Sequence, residues 1–427
     1  MASINFKTAV LSGFVFSVVS ALPLQAAETC KGQHNTNTDQ EYPPNEPTGS
    51  VGTGGDSASI SSPSVARVSE TSEPSTTAGS SPDSCGATVT EGGGSQAQDT
   101  AMTLGSKINS FRGRSGGGSG KKKQVATFNY HALGGAAGDG DNALLDSSRF
   151  SLFSFADYTE RDREATASSS GYKQQASALT LGFDYRIDDS SFAGMSISRS
   201  DGDSDLDSRL GGSEVSVNML GVHGARYWAE HYISMLVAYG AMDIDIARLG
   251  AGDSFKATTD GKYWYADLTM GTEYQYGPLR LSPTMRALLM TGEIDAYTER
   301  SASGFGAVRS INSQDIDSNI LSLALQADYS LLQSWGVLLP SMRAEFNFDQ
   351  GDGYKTNGQT LNDGDKTVIG SISDLSDEPD SSTLAVSWGV SGQFKRGFAA
   401  YAVYERLFLH DYMNKYTATL GFRYELP

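Results

Sequence analysis

From about residue 149 onward the chain alternates between apolar and polar side chains. The last segment shows this most plainly. Tyr416, Ala418, Leu420, Phe422, Tyr424 and Leu426 share one parity, and Thr417, Thr419, Gly421, Arg423 and Glu425 share the other. A period of two marks a β-strand with one apolar and one polar face. The same grammar sets Leu179, Leu181, Phe183 and Tyr185 against Thr180, Gly182, Asp184 and Arg186. It sets Trp264, Ala266, Leu268 and Met270 against Tyr265, Asp267, Thr269 and Gly271, and Met342, Ala344, Phe346 and Phe348 against Arg343, Glu345, Asn347 and Asp349. Twelve strands are predicted, beginning near Phe150, Ala178, Phe192, Val215, Ile233, Tyr263, Leu279, Asn319, Leu338, Leu384, Phe398 and Tyr416.

Two features decide which face is the inside. Many of these strands sustain alternation for about 9–13 residues, the length of a tilted strand across a bilayer and longer than a usual sandwich strand. The polar face carries full charges of both signs: Arg186, Arg286, Arg343 and Arg423 with Asp184, Asp267, Asp328 and Glu345. Such groups can pair across a wet lumen, leaving the aromatic-rich face to lipid. Connections also alternate in length. Those at 158–175, 200–212, 241–261, 293–318 and 350–383 are long, polar and acidic, whereas 188–190, 229–230, 276–278, 331–336 and 395–397 are short. A soluble sandwich has no reason to sort its loops in this way. The expected fold is all-β: a 12-stranded antiparallel transmembrane β-barrel over 149–427, behind a low-complexity, largely disordered segment.

The chain before the barrel divides into three parts. Residues 1–26 have Lys7 as a short positive region, an apolar run over 9–21, and a small-residue exit at Ala26 and Ala27, the pattern of a cleaved secretory signal peptide. Residues 27–125 are rich in Gly, Ser, Thr and Pro, and bury too little apolar area to offset their ordering entropy. A short helical pattern runs from Ala97 to Phe111, weakened by Gly105. Residues 126–148 form a linker that threads or leads into the barrel. The only two cysteines, Cys30 and Cys85, would enter an oxidising compartment where they could form a disulfide.

Composition narrows the functional classes further. A net charge of −18 disfavours nucleic acid as a partner. Two cysteines exclude a Cys-rich zinc or iron–sulfur domain. The five histidines show no metal-ligand spacing, and His410-Asp411 alone is no catalytic constellation. Asp201 to Asp207 has the opening rhythm of a calcium loop, but Leu206 replaces the turn glycine and Gly212 the closing glutamate, so a solvated acidic loop is the reading. Ser115 to Lys123 departs from a phosphate loop, lacking its first glycine and its final Ser/Thr. No cofactor, no metal and no enzymatic activity are expected.

This organisation resembles a classical (type Va) autotransporter. The most local match is the C-terminus, where barrels of that family end in a β-signal: polar residue, Gly, aromatic and hydrophobic at set spacing. Thr419, Gly421, Tyr424 and Leu426 fill those places, with Pro427 as an extra residue. The resemblance implies an outer-membrane translocator that exports its own short N-terminal segment and displays it on the cell surface. It implies the barrel-assembly machinery, periplasmic chaperones, outer-membrane lipid and lipopolysaccharide as partners of a monomeric barrel. Two departures stand out. The passenger is short and lacks the repeats of a β-helix stalk, and no Asn-Asn pair precedes the barrel, Asn129 and Asn142 being isolated, so the segment is expected to stay attached. The rival readings are a porin-like passive channel with a periplasmic N-terminal tail, and a surface adhesin.

Overall fold

The computed structural model describes residues 85–110, 149–166, 170–207, 211–250, 252–350, 355–375, 382–394 and 397–426. The signal-peptide residues Ala26 and Ala27, Cys30 and the 126–148 linker lie outside these, and of Cys85 only the backbone is described. One helix, α1 (Cys85–Ser110), comes first. Then follow β1 (Phe150–Arg163), β2 (Tyr172–Asp188), β3 (Ser191–Leu206), β4 (Gly211–Trp228), β5 (His231–Gly250) and β6 (Asp253–Thr272). After these come β7 (Tyr274–Tyr276), β8 (Leu279–Ile294), β9 (Tyr297–Thr298), β10 (Arg300–Ser301), β11 (Ala307–Ile311), β12 (Gln314–Tyr329) and β13 (Leu331–Gln333). The chain ends with β14 (Gly336–Asp349), β15 (Lys355–Asn362), β16 (Val368–Leu375), β17 (Ser382–Phe394), β18 (Phe398–Phe408) and β19 (Met413–Glu425).

Twelve long strands, β1 to β6, β8, β12, β14 and β17 to β19, pair antiparallel with their neighbours, and β1 then pairs with β19 from Ser151↔Glu425 to Arg163↔Met413. That last ladder closes the sheet into a barrel and leaves no free edge. All twelve predicted strands are present, but several begin earlier than alternation suggests: β6 starts at Asp253, not near Tyr263. The reason is physical. Beyond the lipid belt the outward residues are Lys256, Thr258, Asp260 and Lys262, so neither parity stands out as apolar.

The faces follow the parity. Leu181, Leu220, Met235, Trp264, Leu289, Leu323 and Leu420 point outward and are exposed. Thr180, Asp184, Asp267, Thr269, Arg286 and Ser322 point inward and are buried. The lumen is not evenly wet, however. Val215, Val217, Met219, Leu236, Met242, Ile244, Tyr263, Leu288, Met290 and Ile294 form a continuous apolar wall on β4, β5, β6 and β8, packed against Ala97, Ala101 and Leu104 of α1. The hydrophobic core of this protein is therefore the inside of the barrel.

The stretches at 158–175, 200–212 and 241–261, read as long polar loops, are largely extensions of β1 to β6, and the other two long connections are structured as well. β9 and β11 from one, and β15 and β16 from the other, build a four-stranded antiparallel sheet in the order β16-β15-β11-β9. Tyr297, Val308 and Ile311 are buried in this lobe, and Ile372 of β16 packs against the lumen core. The Arg248 guanidinium reaches up to Glu299 at 2.5–2.9 Å and lies 4.0 Å from the centre of the Phe255 ring. The Asp201–Asp207 stretch is likewise not a loop: Asp201, Asp203 and Asp205 sit on β3 and face outward.

Candidate functional site

The stretch read as largely disordered, with a short helical pattern from Ala97 to Phe111, contains the 26-residue helix α1, which begins earlier, at Cys85, and is about 39 Å long at 1.5 Å per residue. Its apolar stripe is Ala97, Ala101 and Leu104, spaced i, i+4, i+7 on one face. Three consecutive glycines, Gly92 to Gly94, make it a poor helix in isolation. What the sequence lacks locally the barrel wall supplies.

The helix is held at successive heights. Near its N-terminal end, a Cβ on Gly93 would stand 3.2 Å from Ile244 Cδ1, at the long-loop end of the barrel. Gln96 Nε2 donates to the Val215 carbonyl at 3.0 Å and to Ser200 Oγ at 3.2 Å. Asp99 pairs with Arg161 at 2.8 Å and also with Lys415, tying the helix to both sides of the β1/β19 seam. Lower down, Arg286 donates to the Met102 carbonyl at 3.2 Å. Gly105 lies directly on the Asp267–Arg286 pair, where an added Cβ would stand 2.5 Å from Asp267 Oδ2. The helix thus runs from the long-loop end toward the short-turn end.

The predicted lumen charges sort into three groups. Asp267 pairs with Arg286, which also donates to Tyr265 Oη at 2.9 Å and approaches Glu345 at 3.7 Å, and Glu345 in turn pairs with Arg343 at 2.7 Å. Asp184 pairs with Arg423 at 2.8 Å, and Asp328 with Arg280 at 3.0 Å. Arg186 is half-buried and makes no ion pair among the described residues. Sequence reasoning did not name Asp99, Arg161, Lys415 or Arg280, and weighed His223 only among the histidines without metal-ligand spacing. His223 bonds Asp184 Oδ1 through Nε2 at 2.7 Å beside the Phe153 and Phe192 rings. Its inward parity on β4 was a usable signal, but Asp99 had none.

The C-terminal motif divides between faces. Thr419 and Gly421 point inward, while Tyr424 and Leu426 point outward. Thr419 Oγ1 donates to Asp157 Oδ1 at 2.6 Å. Gly421 lies under the Tyr401 ring of β18, which occupies the space any Cβ would need. Among the described residues, no group of three His, Cys, Asp or Glu side chains is placed to hold a metal ion. No described helix is long and apolar enough to cross a membrane.

An apolar outer belt, strands of 11 to 20 residues and a lumen filled by an upstream helix define a transmembrane β-barrel plugged by its own chain. The sequence profile of the autotransporter β-domain matches residues 152–405, and the chain belongs to that family. It is the barrel of a type V secretion protein, resident in the outer membrane, and the barrel itself is a transport structure with no catalytic role. The translocator domain of the autotransporter NalP from Neisseria meningitidis is similar, with 16% identity and a TM-score of 0.51 over 66% of this chain and 92% of that one. The β-domain of the Bordetella autotransporter BrkA is similar too, with 16% identity and a TM-score of 0.50 over 65% and 100%. At such identities the likeness is one of fold. Among curated proteins, none matches the chain in sequence.

Proposed function

We propose that this barrel displays the chain upstream of α1 on the cell surface and keeps it attached there. One observation carries the reading: α1 lies in the lumen with Gly93 at the long-loop end, beside Ile244 and Ile294, and Gly105 deeper, at Asp267. In an outer-membrane barrel the long loops face the exterior and the short turns the periplasm. On this reading the N-terminal end of α1 faces the exterior, and Phe150, where the barrel begins, stands at the periplasmic rim. Residues 1–26 direct the chain to the periplasm. Thr419, Gly421, Tyr424 and Leu426 are presented to the barrel-assembly machinery, and the outer belt meets lipid and lipopolysaccharide. The displayed segment, poor in apolar residues, serves as a non-catalytic surface tail.

Protease shaving of intact cells carrying an epitope tag near Thr48 tests this, with a periplasmic protein as leakage control. Loss of the tag while that control survives is the expected result. A tag protected until the outer membrane is opened would refute display and favour a channel with a periplasmic tail.

A further inference from the structure

Counting only the twelve long strands, the β1/β19 junction is the one place in the barrel where the paired strands do not follow one another along the chain. Asp157 and Thr419 are 262 positions apart, so no short turn brings their strands together. Closing so long a loop is entropically costly, and the strand ladder alone does not choose a register. On this junction the side chains of β19 form a polar ladder inside the lumen. The Thr417 and Thr159 hydroxyls lie 3.0 Å apart, and Thr419 donates to Asp157 at 2.6 Å. Arg423 donates to Ser151 Oγ at 2.6 Å and reaches over β1 altogether to Asp184 on β2, at 2.8 Å. Lys415 completes the row through Asp99 of α1. Thr419 is 1% exposed and Asp157 8%, so their bond is made away from water.

These contacts discriminate register. A slip by one residue turns every side chain of β19 to the wrong face. A slip by two keeps the faces but moves the strand by about 6.8 Å, at ~3.4 Å per residue. The slip that sets Phe422 against Ala156 puts Gly421 opposite Asp157 and carries Arg423 away from Asp184, so both contacts are lost; the opposite slip brings Thr417 to Asp157 but carries Lys415 away from Asp99. The outward residues Leu420, Phe422, Tyr424 and Leu426 offer no such discrimination, because lipid accepts any of them at any height.

We propose that Thr419 and Arg423 are seam-positioning residues: they hold the C-terminal strand in its register on β1 against the slip toward Phe422 opposite Ala156, and so support barrel closure. The C-terminal motif then has two faces with separate tasks. Tyr424 and Leu426 lie on the outside, available to whatever handles the strand before insertion, while Thr419 acts afterwards, from within.

Disulfide trapping of the full chain in the outer membrane tests this, in a Cys30→Ser, Cys85→Ser background. Ala156→Cys with Leu420→Cys reports the native register, since these lipid-facing positions are directly opposed. Ala156→Cys with Ala418→Cys or with Phe422→Cys reports slips of two residues. Thr419→Val is expected to lower the native-register yield relative to the Phe422 slip by about tenfold, as for a lost hydrogen bond to a charged group. Thr419→Ser restores it, and Arg423→Gln behaves like Thr419→Val. As a comparison, Ser322→Ala removes a buried lumen bond to Asn347, 2.7 Å long, between β12 and β14. The assignment is overturned if Thr419→Val closes in register as the parent does, or if Ser322→Ala lowers the seam yield equally. If Thr419→Val leaves no heat-shifted barrel on gels, Arg423→Gln is read in its place with the same two outcomes.

Discussion

Gly105→Ala sets two physical effects against each other with opposite signs. Alanine is the better helix former, by about 1 kcal/mol, so a change confined to the helix would stabilise it. In the lumen, the new Cβ meets Asp267 Oδ2 at 2.5 Å and Arg286 Nη2 at 2.8 Å. Neither group can retreat freely: Asp267 is held by Thr269 at 2.9 Å, and Arg286 by Tyr265 and the Met102 carbonyl. Overpacking a filled interior costs about 1–3 kcal/mol, and loosening a buried ion pair adds to that. The expected net result is helix displacement favoured by ~1–2 kcal/mol, which raises the displaced population about 5–30-fold. Single-channel recording of the purified full chain in planar bilayers reads it as more frequent open events. An isolated peptide spanning Cys85–Ser110 should meanwhile gain helicity by circular dichroism. An open frequency equal to or below the parent's would mean that propensity outweighs the contact, and would refute the packing argument.

Three further perturbations probe other parts of the molecule. Asp99→Asn leaves Arg161 and Lys415 without their shared carboxylate in a largely buried site; at about 3–5 kcal/mol for breaking such a pair, the helix should become readily cleaved by protease added to refolded barrels. Gly421→Ala collides with the Tyr401 ring, so the yield of heat-shifted barrel should fall, and Tyr401→Ala in the same chain should recover part of it. In the outer lobe, the Ser301 and Ser303 hydroxyls hold the Asp253 carboxylate below its ordinary value of 3.8. A depressed pKa contributes stability that is fully present above 3.8 and is lost as pH falls through the folded value. Pepsin cleavage within 299–306 should therefore remain slow at pH 4 and accelerate only below it, whereas Asp253→Asn should be cleaved rapidly at both.

The barrel was legible in the sequence because lipid imposes a rule on every strand. Outward positions such as Leu181, Trp264 and Leu420 must be apolar, and the period of two then fixes strand, face and count together. That same rule hid the interior. Val215, Val217 and Met219 face inward yet are apolar, and beside outward Leu220 and Val222 they blur the alternation of β4 instead of announcing a second apolar surface. The helix was legible only over its second half, from Ala97, for the complementary reason. Gly92 to Gly94 and Gly105 count against helix by local propensity, and the favourable terms come from Ile244, Leu236 and the Asp267–Arg286 pair, which lie more than a hundred positions away. The outer lobe was read as loop because its strands are short and its apolar residues, Tyr297, Val308, Ile311 and Ile372, are isolated among polar ones.

The apolar wall and the weak helix make sense only together. A lumen lined on β4, β5, β6 and β8 by Val217, Leu236, Met242, Ile244, Leu288 and Ile294 would, if merely filled with water, leave each of those side chains short of about 1.5–3 kcal/mol of burial. A helix with three successive glycines would not persist in water on its own propensity. Each surface removes the other's defect, and the polar contacts at Gln96 and Asp99, with the close approach at Gly105, then select one height and one rotation among the many that burial alone would accept. Hydrophobic burial in this lumen therefore decides that the helix stays, while the charges decide where. Exchanging Leu104 for Ala should loosen the plug without shifting it. Removing Asp99 should let it shift while much of the burial is kept. Spin-label distances between α1 and β12 would separate the two: a broadened distribution at the same mean for Leu104→Ala, a displaced mean for Asp99→Asn. Identical distributions for both variants would show that burial and register are not divided in this way.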